Sequence, residues 1–145
     1  MNFYRKGLSL PICLSLLALV AMSSGEAYSA DPSVLLIPGK TRSGTIYNIK
    51  KAFKGGLPTT QEVRLRVEKI SGNSAEVYVS WSKTSRDTGN AGFGTFTAEM
   101  ISKGESIELS GRTGQHEWKL IFNPDGAVNC SMTIPSKNVS RWGDL

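Results

Sequence analysis

The stretch from Arg64 to Ser82, RLRVEKISGNSAEVYVSWS, alternates apolar and polar residues through two runs separated by Ser71-Gly72-Asn73. A period of two puts successive side chains on opposite faces of an extended strand. Val63, Leu65 and Val67 therefore share one face, and Arg64, Arg66 and Glu68 the other. After the break Ala75, Val77, Val79 and Trp81 face inward, while Glu76, Tyr78 and Ser80 point to solvent or a second layer. Glycine and asparagine tolerate the positive φ of a tight reversal, so the stretch predicts a β-hairpin.

The same signal recurs along the chain. Strands are expected over Gly44 to Ile49, Glu62 to Lys69, Ala75 to Ser82, Gly94 to Met100, Ser106 to Leu109, Glu117 to Phe122 and Ala127 to Ile134. Asn123-Pro124-Asp125-Gly126 is strong turn chemistry, with proline presetting φ and glycine taking the positive-φ position. It predicts a second hairpin, with Trp118, Leu120 and Phe122 opposite Val128, Cys130, Met132 and Ile134. Ser102-Lys103-Gly104-Glu105 reverses the chain and returns Ile107 and Leu109 toward Met100. One short helix fits Tyr47 to Phe53. The expected fold is all-β: an antiparallel meander of about seven or eight strands closing into a small barrel, which removes exposed edges. A two-sheet sandwich is the alternative. The longest turn-like stretch, Lys83 to Gly94, is polar and glycine-rich, the kind of long loop that is often functional or mobile.

The N-terminus reads as a secretory signal peptide over residues 1–29, leaving a domain over 30–145. Arg5 and Lys6 precede an apolar run from Leu8 to Met22, which is interrupted by Pro11 and falls short of the roughly 20 residues a spanning helix needs. Small residues follow, and cleavage fits after Ala27, with Gly25 in the outer subsite, or after Ser29, with Ala27 there, the second being preferred. The expected location is secreted or periplasmic, with no transmembrane segment in the mature chain. Losing Arg5, Lys6 and Glu26 leaves 15 basic and 11 acidic residues, a net of +4. Lys50, Lys51 and Lys54 form the one tight basic cluster, and no basic face interleaved with aromatic residues points to nucleic acid. Cys13 leaves with the leader, so Cys130 is alone and no disulfide staples the fold.

The succession VRLRVEKISGNSAEVYVSW, GFGTFTAEM, SIELSG and HEWKLIFNPDGAVNCSM, within Gly44 to Ile134, resembles the strand layout of small secreted calycin-like (lipocalin-like) barrels. Isoleucine stands at Gly44-Thr45-Ile46 where that family's first strand carries Gly-x-Trp. The resemblance implies a barrel with an open end able to hold a small apolar or glycan ligand, and it implies no chemistry.

A search for reactive groups yields little. His116, the single histidine, shares parity with Trp118, Leu120 and Phe122. It reads either as a half-buried ring bonded to backbone near a barrel mouth or as a binding or acid-base group. Cys130 alternates with Val128 and Met132 and reads as a small hydrophobe. One histidine and one cysteine are too few for a zinc site, and Glu105 and Glu108 point to opposite faces of a strand. Gly89 to Gly94 lacks the lysine and helix of a phosphate loop. Asn129 and Asn138 head glycosylation sequons. No cofactor and no enzyme activity are expected.

Two binding functions follow. In one, Trp81, Phe93, His116 and Trp118, beside the Lys83 to Gly94 loop, line the open end of the barrel and take a small apolar molecule or a sugar. In the other, an outer face including Arg64 and Arg66, with a tail at Arg141-Trp142, meets an anionic envelope polymer. An aromatic-lined hollow favours the first reading, and a filled interior the second.

Overall fold

The computed structural model describes residues 31–48, 59–85 and 90–145. Among the described residues eight strands follow one another: β1 Thr41–Tyr47, β2 Thr60–Ser71, β3 Ser74–Trp81, β4 Gly92–Lys103, β5 Ser106–Thr113, β6 His116–Phe122, β7 Val128–Ile134 and β8 Val139–Asp144. Each pairs antiparallel with the next and β1 pairs with β8, so the meander closes into one barrel rather than two packed sheets. A four-residue helix α1, Pro32–Leu35, precedes β1, and a 3-10 turn at Pro135–Lys137 joins β7 to β8. No described helix is long and apolar enough to cross a membrane.

The alternating runs pair as their pleat requires. Val63 lies opposite Trp81, Leu65 opposite Val79 and Val67 opposite Val77, and Gly72 turns the hairpin at φ +56°. A bulge between Val67 and Lys69 then shifts the phase by one residue, so that Ile70 rather than Lys69 turns toward the barrel opposite Ala75. In the second hairpin Trp118 faces Met132, Leu120 faces Cys130 and Phe122 faces Val128, with Gly126 at φ +90°. Apart from the partly buried Ile70 and Trp81, the residues named on these inward faces are at most 2 % exposed, and together with Ile107, Leu109 and Ala98 they fill the middle of the barrel. Burying each large aliphatic side chain contributes roughly 1.5–3 kcal/mol.

The two ends differ. At one end the tight β2–β3, β4–β5 and β6–β7 turns gather, and the segment made of α1 and the fully buried Leu36 just after it packs there. Arg42 fastens this cover: its Nη1 donates to Gly126 O at 2.6 Å, its Nη2 to Leu35 O at 3.4 Å, and its guanidinium lies 5.6 Å from the centre of the Phe122 ring. The other end, hereafter the loop end, carries the longer β1–β2 and β3–β4 connections.

Several boundaries depart from expectation. β1 begins at Thr41 and β5 runs on to Thr113, because the inward positions Gly44 and Gly111 are glycines that carry no hydrophobic signal. The eighth strand lies where no strand was placed: Arg141-Trp142, read from the sequence as a tail, is part of β8. The helix expected over Tyr47 to Phe53 meets a strand at Tyr47, and residues 49–53 lie outside the described residues. So do the leader at 1–29, Lys50, Lys51, Lys54 and positions 86–89 of the long loop.

Candidate functional site

Three of the four residues expected to line the open end come together there. Trp81 ends β3, His116 begins β6, and Trp118 follows one pleat further in. The Trp81 and His116 ring centres are 4.6 Å apart, Trp81 and Trp118 5.6 Å, and His116 and Trp118 6.3 Å. Tilted rings at such spacings bring the positive edge of one toward the negative face of another. Trp81 can lie flat across the end because its cross-strand partner is Gly92, where a Cβ would sit 2.5 Å from the indole. Its Nε1 donates to Asn90 O at 3.1 Å, tying the ring to the β3–β4 connection.

Phe93 is placed elsewhere. It pairs with Ser80 on the outer face of β4 and is 76 % exposed, on the side of the sheet away from Trp81.

Below and beside the rings the interior turns polar. Asn48, Thr59, Gln61, Thr84 and Arg141 are each at most 9 % exposed. Arg141 faces inward from β8 opposite Met132, itself opposite Trp118. The β1 and β2 ends are joined there by Asn48 N–H donating to Thr59 O at 3.0 Å. Gln61 Nε2 donates to Ser82 O at 2.7 Å, yet among the described residues its buried Oε1 has no partner, and neither has the buried Trp118 indole N–H. A buried donor or acceptor left unpaired costs about 1–3 kcal/mol. Polar residues near strand ends read as surface in a sequence, so the burial of Asn48, Thr59, Gln61 and Thr84 carries no local signal.

Desolvation holds the His116 pKa below its ordinary 6.5, a hydrogen bond with the Thr113 backbone opposes this, and the positive charges of Arg141 and Lys137 add to the lowering. The folded chain therefore takes up this proton at lower pH than the unfolded chain does. The stabilisation is complete above pH 6.5 and is lost as pH falls through the depressed value. A proton NMR titration of His116 is expected to give a midpoint below 6.5; a midpoint above it would mean that the ring is not desolvated.

Cys130 is 1 % exposed, and burial pushes its thiol up to about 12. Among the described residues no three His, Cys, Asp or Glu side chains gather as a metal site would require. No protein-family model, no curated protein and no solved structure matches the chain.

Proposed function

We propose that this chain is a secreted or periplasmic, non-enzymatic barrel of calycin-like type whose loop end holds a small apolar or sugar ligand against Trp81, His116 and Trp118. The signal-like N-terminus supports the location. The observation that carries the binding reading is that two buried atoms at the same end as the ring cluster, Trp118 Nε1 and Gln61 Oε1, have no partner among the described residues. A hydroxylated ligand with an apolar body offers an acceptor to the first, a donor to the second and a face to the rings. The middle of the barrel is filled rather than hollow, which counts toward the polymer reading, so the ligand reading rests on the mouth alone and requires a small ligand.

Calorimetric titration with aromatic alcohols, fatty alcohols, monosaccharides and disaccharides tests this. At least one class is expected to bind, with Trp81→Ala weakening it by about tenfold or more. Trp118→Phe, which removes the indole N–H, weakens it as well. Binding by no class, or binding indifferent to both substitutions, contradicts the proposal.

Contact with an anionic envelope polymer ranks second. Two cations it would draw on are already matched on the outer face, Arg66 with Glu68 at 2.7 Å and Lys119 with Glu108 at 3.1 Å.

A further inference from the structure

The outer face of the barrel carries a second feature that the loop end does not use. Tyr47 and Trp142 are cross-strand partners where β1 meets β8, and both point outward, 42 % and 51 % exposed. Partners of this kind have Cβ atoms about 5 Å apart, so the two side chains leave the sheet side by side. Trp142 is also the cross-strand partner of Ser131 on β7. Ser131 in turn lines an open groove of about 550 Å³ that crosses β5, β6 and β7. The aromatic pair and the groove are therefore contiguous.

The groove is polar and electrically balanced. Its outward side chains include Glu108, Arg112, Glu117 and Lys119, two carboxylates against two cations, together with the hydroxyls of Ser110 and Thr133. Glu108 is only 8 % exposed although it faces outward, and its carboxylate is held by Lys119 Nζ at 3.1 Å and by Ser110 Oγ at 3.4 Å. A carboxylate fixed in this way is a preorganised acceptor for ligand hydroxyls. Balanced charge gives no long-range pull on a charged polymer, whereas alternating donors and acceptors match a ligand with many hydroxyls. Exposed indole and phenol rings suit the C–H face of a pyranose, which is apolar on its flat side and polar at its rim.

We infer that the β5–β7 groove and the Tyr47–Trp142 surface together form a binding site for a neutral oligosaccharide, separate from the loop end. The sugar rings stack on Trp142 and Tyr47 while their hydroxyls reach Ser131, Thr133, Glu108 and Lys119.

Calorimetry with maltotetraose, cellotetraose and chitotetraose, and with heparin as an anionic comparison, tests the site. At least one neutral tetrasaccharide is expected to bind, insensitive to added salt and weakened about tenfold by Trp142→Ala. Trp81→Ala leaves that binding unchanged, which separates this site from the loop end. Tyr47→Ala gives the same weakening and serves if Trp142→Ala does not fold. Three results would each overturn the inference: no neutral tetrasaccharide binds at millimolar concentration, heparin alone binds, or binding is lost with Trp81→Ala but kept in both outer-face variants.

Discussion

Gly143→Ala is expected to destabilise the protein by about 3 kcal/mol, the upper end for inserting a methyl group into a filled space. The reason lies in how the barrel closes. Among the described residues β1 and β8 share one ladder pair, Tyr47 with Trp142, whereas each of the other strand pairs runs through at least five. At this seam the backbones approach so closely that a Cβ on Gly143 would collide with the Thr45 carbonyl oxygen and lie 3.0 Å from Ile46 Cα. Gly44 is the counterpart: its Cβ would collide with the Asp144 carbonyl oxygen. In both cases the obstacle is backbone, so no side-chain rotation relieves it. Against a total stability of ~5–15 kcal/mol the loss is large, and the melting temperature should fall by on the order of 10 °C. Gly72→Ala is the control: nothing lies within 4 Å of its Cβ, and its cost is confined to the left-handed backbone, about 1 kcal/mol. Chemical denaturation measures both, and a Gly143→Ala protein within about 1 kcal/mol of the parent would refute the close-approach seam.

The second large effect is expected at Trp118. Trp118→Ala should cost about 3–5 kcal/mol, because the ring is 2 % exposed and its removal leaves a cavity between Gly111 and Met132. Trp118→Phe should behave quite differently. It keeps an aromatic ring and deletes a buried N–H that has no partner among the described residues, so the lost contacts are offset by relief of about 1–3 kcal/mol. Urea unfolding of the two variants side by side decides the matter. A Trp118→Phe protein as unstable as Trp118→Ala would mean that the indole N–H is satisfied in solution and would remove the main support for a ligand at the loop end.

The sequence made the inward faces of β2, β3, β6 and β7 legible because one side of each is continuously apolar and solvent lies on the other. β8 was hidden for the opposite reason. Its inward residues are Val139, Arg141 and Gly143 and its one large aromatic, Trp142, faces outward, which inverts the pattern that marks a half-buried strand. The loop-end cluster was partly legible: the parity of His116 with Trp118 places both inside, but their meeting with Trp81 depends on closure between β3 and β6, which no local pattern encodes. Phe93 could have been separated from the cluster by phase alone, since it lies three residues from the buried Phe96 and so on the opposite face. The polar lining at Asn48, Thr59, Gln61 and Thr84 had no signal, because its burial comes from neighbouring strand ends.

The most direct test of the proposed function is a ¹H–¹⁵N spectrum of the three tryptophan indole N–H groups, recorded while the loop-end ligand panel is added. Trp81, Trp118 and Trp142 are the only tryptophans in the chain and occupy the mouth, the wall beneath it and the outer face. The account predicts that a ligand bound at the loop end shifts the Trp81 and Trp118 signals, whether or not a sugar also moves Trp142. Unmoved Trp81 and Trp118 signals at saturating ligand would contradict it.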